Sequence, residues 1–473
     1  MGQTLSSPAT KKTSETGSNS RFFYAISEMQ GWRVTMEDAH ATILDLDGSG
    51  DESKSNTFFA VYDGHGGSTV AKFAGQNVHK RLVSEETYKE KKFDVALKKA
   101  FLGTDEDLLA NPAHTRDPSG CTAVAALVTA DNKIYVANAG DSRSVISVKG
   151  EVKPLSYDHK PTNDTEKTRI TLAGGYIEYG RVNGNLALSR ALGDFEFKKN
   201  YTLGPEAQII TADPDITCHE ITSEDEFLVL ACDGIWDCLS SQQVVDFIRY
   251  QVSEGKELTE INEMIFDHIL APDTTSGAGI GCDNMTLLIV AITHGRSENE
   301  WYQWITKRVK SKHGYDTPST VPQLYAQSRV QSFRARQEAI EAREKLRQTN
   351  KPAETGTLLD NEDFLRRYGL TVTTISGGLG GGISYKPGGN VTSDSGQLMF
   401  GDDDGSDEID SDDEELRGGR SFFSETLGLG RSESPDPTKN LKAQLDEYEK
   451  DIKKDTDTDG DSNMQEGKPA AGD

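Results

Sequence analysis

The 473-residue sequence has no apolar run approaching the roughly 18 to 20 residues that a membrane-spanning helix needs, and no basic-then-apolar opening of the secretory type. A soluble, non-secreted chain is the expectation. Cysteine is scarce: Cys121, Cys218, Cys232, Cys238 and Cys282 are odd in number and lack the paired spacing of a zinc or dithiol motif. A reduced compartment, cytoplasmic or nuclear, is therefore expected. Positive charge is short as well, with 51 Lys and Arg against 77 Asp and Glu and a net charge of −26. That balance speaks against nucleic acid as the principal ligand, because phosphate backbones are held by positive surfaces. Only 35% of residues are apolar, so a length that would suit about three domains points to fewer.

The acidity is uneven. Residues 401–473 hold 23 acidic and 9 basic side chains, a net −14. Residues 1–20 are polar and Ser/Thr-rich, and read as a disordered arm. Their start, Met1-Gly2-Gln3-Thr4-Leu5-Ser6, fits the acceptor pattern for myristoylation at Gly2. A single acyl chain gives only weak, reversible membrane binding. From about residue 21 to 294 the character changes. Short runs rich in β-branched and aromatic residues, at 57–62, 122–129, 133–139, 226–232 and 285–292, read as buried strands. Segments 68–83, 93–110 and 241–253 carry helical spacing, grouped after strands instead of alternating with them, which predicts an α+β domain. Residues 295–350 are charged and helix-forming, with Trp301 and Trp304, and predict a small helical appendage. Residues 351–473, glycine-rich and then acidic, predict a disordered acidic tail.

The placement of the carboxylates carries the chemistry. The run ending at Tyr62 is followed by Asp63-Gly64-His65-Gly66-Gly67, and the run ending at Cys232 by Asp233-Gly234-Ile235-Trp236-Asp237. Asp283-Asn284 opens the run 285–292, and Asp141 follows the run 133–139. An acid emerging from an apolar strand is costly unless its charge is compensated, and a shared divalent cation would do that. Any one Asp-Gly also reads as an ordinary turn. A further cluster, Arg33-Val-Thr-Met-Glu37-Asp38-Ala-His40, would put Glu37 and Asp38 on opposite faces if 34–41 were a strand, and alone could equally be a solvated edge strand. All these donors are hard oxygens, so the expected metal is Mg²⁺ or Mn²⁺.

Those segments, with Gly120-Cys-Thr-Ala123, Gly140-Asp-Ser-Arg143, Arg181-Val-Asn-Gly-Asn-Leu-Ala187, Ser189-Arg-Ala-Leu-Gly-Asp194 and Asp283-Asn-Met-Thr286, occur in one order over 22–293. In them the chain closely resembles the metal-dependent Ser/Thr protein phosphatases called protein phosphatase 2C, particularly their fungal members. The resemblance implies a four-layer αββα sandwich of two antiparallel sheets flanked by helices, with the metals in a cleft at one end. It implies two Mn²⁺ or Mg²⁺ ions: Asp63 bridging, Asp233 and Asp283 on one ion, Glu37 and the Gly64 carbonyl on the other, and Asp38 acting through water. Asp141 and Asp237 match a weaker third metal site of some relatives.

The resemblance further implies hydrolysis of phosphoserine and phosphothreonine in proteins by a hydroxide bridging the two ions, with Arg33 gripping phosphate and His65 as general acid. Phosphoprotein substrates are expected, signalling kinases of the stress-activated MAP kinase pathways among them, and a monomer. Thr122, Ser142 and Asp194 read as structural.

Rival readings fare worse. A cysteine-dependent phosphatase needs Arg six positions after its cysteine, where this sequence has Leu127, Glu224, Cys238, Val244 and Leu288. A catalytically dead phosphoprotein-binding scaffold would lack ligands, yet all five acids are present. The stretch 455–466 matches a calcium-loop pattern but has no exit helix, so a solvated acidic tail is the preferred reading. Ser406 and Ser411 lie in an acidic run suited to acid-directed kinases, Ser434-Pro435 is a proline-directed site, and 307–312 reads as a nuclear signal or a basic helix face.

Overall fold

The computed structural model describes residues 4–349, apart from 52–53, 113, 115 and 276–278. Gly2, the whole of 350–473 and with it the calcium-loop pattern lie outside the described residues. The described part falls in one compact unit that runs to Thr357.

Alternating strands build two sheets whose central strands are apolar on both faces. One sheet runs in the order β1 (Thr4–Ser18), β2 (Phe22–Arg33), β16 (Met285–Ile292), β15 (Asp225–Ala231), β9 (Arg143–Val148) and β10 (Glu151–Pro154). The other runs β14 (Asp215–Glu220), β8 (Lys133–Ala139), β7 (Ala123–Val128), β4 (Thr57–Tyr62) and β3 (Ala39–Ile43). All pairings in both are antiparallel. In β4, Phe59 and Val61 face the opposite sheet while Phe58, Ala60 and Tyr62 face helices. In β16, Leu288, Val290 and Ile292 face the opposite sheet while Leu287, Ile289 and Ala291 face helices. A strand covered on both sides has no polar face, which is why these runs read as continuously apolar.

The outer layers are helical. α1 (Thr69–Ser84), the short α2 (Glu86–Lys89) and α3 (Phe93–Ala110) cover the five-stranded sheet. α6 (Ser241–Ser253), α7 (Leu258–Ile269) and α8 (Glu298–Lys310) cover the six-stranded one. The result is the expected αββα sandwich. α4 (Asp164–Leu172) and the hairpin β11–β12 (Ile177–Glu178, Arg181–Val182) belong to a small satellite core around Ile170, Val182, Leu188 and Ile210. α5 (Asp233–Trp236) is one turn at the end of β15, and α9 (Gln327–Thr349) closes the described chain. Three two-residue strands, β13 (Leu192–Gly193), β6 (Gly120–Cys121) and β5 (Gly64–His65), make a separate sheet.

Three expectations need correction. The N-terminal arm is not disordered from residue 4 onward: β1 pairs with β2 along the sheet edge. Its polar side chains are tied down by Lys12 to Asp267 at 2.6 Å, Ser14 to Glu263 at 3.1 Å and Tyr24 to Glu15 at 2.8 Å. An edge strand gains its ladder hydrogen bonds without an apolar face, so composition understates it. Residues 34–38 are a loop instead of part of a strand. The helical segment after 294 is no mere appendage at its start, because Trp301 and Ile305 of α8 are fully buried in the core around β2, β15 and β16. Trp301 Nε1 donates to Glu226 O at 3.1 Å, and its ring meets Phe23 edge-on at 5.2 Å.

Candidate active site

β4, β15 and β16 bring their acids to one end of the sandwich. Asp63 follows β4, Asp233 opens α5 directly after β15, and Asp283 precedes β16 by two residues. The glycine after each of the first two acids serves close approach. A Cβ at Gly64 would lie 2.2 Å from Glu37 O, and one at Gly234 would lie 2.0 Å from Asn284 O. Neither has a positive φ. The Asp-Gly pairs therefore let two acid-bearing segments touch, which a plain turn would not require.

Asn284 shapes the loop that carries Glu37 and Asp38. Its Nδ2 donates to Gln30 O at 2.8 Å and Thr35 O at 3.0 Å, and its Oδ1 accepts from Glu37 N at 3.0 Å. Thr35 O and Glu37 N are thereby satisfied by a side chain and not by a ladder, in keeping with a loop at 34–38. The Glu37 carboxylate accepts from Thr35 Oγ1 at 2.7 Å and Gly67 N at 3.1 Å. Asp38 is buried, its Oδ2 accepting from Thr286 Oγ1 at 2.6 Å while Oδ1 has no partner.

These acids repel one another. Withdrawal from water pushes Asp63 well above the ordinary carboxylate range, and the charges of Asp233, Asp38, Asp283 and Asp141 push it further. Asp233 is raised well for the same reason, with Asp141, Asp283 and Asp237 against it and Lys160 in partial relief. Burial also raises Asp38, against the pull of the Thr286 bond. Asp237, at the exposed end of α5, is raised in turn. Among the described residues two cations bond acids of the set, and Arg143, paired with Asp158, adds its charge near Asp237 and Asp141. Arg33 Nη2 donates to Asp283 Oδ2, and Lys160 Nζ to Asp141 Oδ2 at 2.6 Å. Burial would lower Arg33, but Asp283, Asp233 and Asp63 hold it above its usual value.

Among the described residues no three His, Cys, Asp or Glu side chains converge as a finished metal cage, as expected of carboxylates that repel. The donor set nonetheless suits hard divalent cations: oxygens throughout, too few internal cations, and an orphaned buried Asp38 Oδ1. His65 stands at the rim, its Nε2 2.7 Å from Asp194 Oδ2. Burial would lower His65, yet the charge and hydrogen bond of Asp194 hold it above its usual value. Thr122 and Ser142 share a buried hydroxyl bond of 2.7 Å, in keeping with a structural role.

The family model described as Protein phosphatase 2C matches residues 23–277. The chain belongs to the protein phosphatase 2C family. It is 53% identical over 322 residues to "Protein phosphatase 2C homolog 2" of Hypocrea jecorina, covering 67% of this chain and 73% of that one. It is 50% identical over 324 residues to "Protein phosphatase 2C homolog 2" of Schizosaccharomyces pombe, covering 68% and 87%. A phosphatase crystal structure from Toxoplasma gondii superposes with a TM-score of 0.50 at 26% identity, covering 60% of this chain and 96% of that one. This protein phosphatase 2C is thus a metal-dependent Ser/Thr protein phosphatase with an α+β antiparallel sandwich. The family match holds Arg33, Glu37, Asp38, Asp63, His65, Asp141, Asp233 and Asp237. It ends before Asp283, whose place in the cleft rests on its Arg33 contact and its charge on Asp63.

Sequence reasoning missed two residues here. Asn284 carries no sequence signal beyond neighbouring Asp283, and Asp194, expected to be structural, meets His65. Both act on partners far away in sequence, and neither carries a periodic signal.

Proposed function

We propose that the cleft hydrolyses phosphoserine and phosphothreonine in proteins at a binuclear Mg²⁺ or Mn²⁺ centre. The observation that carries this is the set of strand-end carboxylates that repel one another, with Arg33 and Lys160 the cations bonded to them among the described residues. Asp63, Asp233 and Asp283 would hold one ion, and Glu37 with the Gly64 carbonyl the other, with Asp63 shared and Asp38 behind them. Asp141 and Asp237 are the residues available to a third. When bound, the ions offset the negative charge that would repel a phosphate dianion and activate water for attack on phosphorus.

The chain's own residues supply the rest. Arg33 is half-exposed, and among the described residues its side chain bonds only Asp283, so its planar fork is free to turn onto two phosphate oxygens. His65, at the rim and held by Asp194, is placed to give a proton to the departing serine or threonine oxygen. No covalent phosphoenzyme is needed. Resemblance to fungal members supports signalling kinases, stress-activated MAP kinases included, as substrates of a monomeric cytoplasmic and nuclear enzyme. The opening Met-Gly pattern supports acylation at Gly2.

The test is phosphate release from a phosphothreonine peptide with Mn²⁺ and with EDTA. Metal-dependent release is expected, and no release with Mn²⁺ would leave a phosphoprotein-binding scaffold. His65→Ala should impair alkyl phosphates more than aryl phosphates, whose leaving groups need little protonation; equal losses count against the acid role.

A further inference from the structure

Asp194 lies beside the carboxylate cluster but answers to a different partner. It is 4% exposed, and its Oδ2 is 2.7 Å from His65 Nε2. Its backbone sits at φ 51, ψ 40, a left-handed conformation that Asp and Asn tolerate better than other side chains. That turn is fixed from both sides: Asp194 N donates to Ser119 O at 3.2 Å, and Phe197 N donates to Asp194 O at 2.9 Å.

The small sheet β13–β6–β5 explains how the pair is assembled. Gly120 of β6 pairs with His65 on one side and with Gly193 on the other. His65 and the residue before Asp194 therefore flank a single glycine. A Cβ at Gly120 would come within 2.1 Å of Asp194 Oδ2 and 2.7 Å of His65 Nε2. Only a residue without a side chain leaves room for the contact, although 129 positions separate its partners.

We infer that Asp194 is a positioning residue for the phosphatase reaction, fixing the His65 ring through Nε2 so that Nδ1 delivers the proton to the departing oxygen. This rests on the acid role proposed for His65. As the P–O bond breaks, its electron pair passes to the serine or threonine oxygen, which takes the proton from Nδ1. The imidazole is left neutral, its Nε2 proton still donated to Asp194 Oδ2. The two ring nitrogens thus have separate duties, set by the bond that one of them makes.

The experiment compares Asp194→Asn, Gly120→Ala, His65→Ala and the double variant Asp194→Asn/His65→Ala in the full-length, Mg²⁺-supplemented enzyme. Asn suits the left-handed backbone, and Gly120→Ala separates the pair while leaving both members present. General acid catalysis is commonly worth 10²–10⁴-fold, so each of Asp194→Asn and Gly120→Ala should lower kcat on a phosphothreonine peptide by about a hundredfold. KM should hold, an aryl phosphate should lose no more than about threefold, and the double variant should fall no lower than His65→Ala. Equal losses on both substrates, or additive losses in the double variant, would overturn the inference. If His65→Ala itself shows no leaving-group dependence, the acid role fails instead. A measurement free of folding effects is the ¹⁵N-histidine spectrum of the wild type, assigned with His65→Ala. A hydrogen-bonded proton fixed on Nε2 of His65 is expected, and a neutral ring protonated on Nδ1 alone would overturn the assignment.

Discussion

Two groups of desolvated acids in this protein behave in opposite ways. Glu166 of α4 is 1% exposed, yet Arg169 and Arg190 both bond it, at 2.6 and 2.7 Å, and Ser189 Oγ donates at 2.7 Å. Burial alone would raise its carboxyl, but the bonds and charges of Arg190 and Arg169 draw it down to about 2. Asp63 and Asp233 are withdrawn from water as well, face mainly other carboxylates, and are driven up. The groups are neighbours, since Arg190 bonds Asp215, Asp215 meets His159 at 3.1 Å, and His159 accepts from Gly140 N beside Asp141. Desolvation acts on both, so it is charge balance that separates a structural acid from one awaiting an external cation.

The largest test of that contrast is Asp63→Asn. Losing a ligand of the proposed centre should reduce phosphopeptide turnover by at least about a thousandfold, given the several kcal/mol that divalent ions contribute to such transition states. Without metal the same variant should melt higher than the wild type, because it removes a charge the fold opposes. Added Mn²⁺ should raise the wild-type Tm and hardly that of the variant. A metal-free variant that melts lower than the wild type would mean that Asp63 is balanced from within, as Glu166 is.

The opposite sign is expected for Glu166→Gln. Removing one partner of a buried ionic network leaves Arg169 without a carboxylate and Arg190 with Asp215 alone, a loss of about 3 kcal/mol at neutral pH. Because the folded carboxyl is depressed, its stabilisation is fully present above the ordinary value of 4.5 and fades as pH falls toward about 2. The gap in denaturation midpoint between wild type and variant should therefore close over that window. A gap independent of pH would show that packing, and not charge, makes the difference.

How much of this could be read beforehand depended on whether a signal is local. Residues 57–62, 133–139 and 285–292 take the expected strand bounds because each must be apolar on both faces. Helices 93–110 and 241–253 carry their own 3.6-residue spacing. The acids at strand ends were legible for the same reason, as charges that interrupt apolar runs. What stayed hidden depends on distant partners. The loop at 34–38 is set by Asn284, and the His65–Asp194 contact by three strands of two residues each, too short to show a period. β1 stayed hidden because an edge ladder needs no apolar pattern.

The smallest effect lies inside the cleft, at Thr286. Its hydroxyl donates to Asp38 Oδ2 at 2.6 Å, and Asp38 Oδ1 has no hydrogen-bond partner among the described residues. Thr286→Val keeps the β-branched shape in a strand position that is fully buried, so it removes the donor and little else. A hydrogen bond to a charged group is worth roughly 1.5–3 kcal/mol, and the loss of a residue supporting a metal site weakens binding about 10- to 100-fold. The lower end is expected, because an ion in the cleft would itself attract the Asp38 charge. Calorimetric titration of the metal-free variant with Mn²⁺ should therefore show affinity reduced about tenfold, with kcat recovered at saturating metal. Unchanged affinity would place Asp38 with Glu166, as an acid the chain itself satisfies, and would draw the boundary between the two groups through the middle of the cleft.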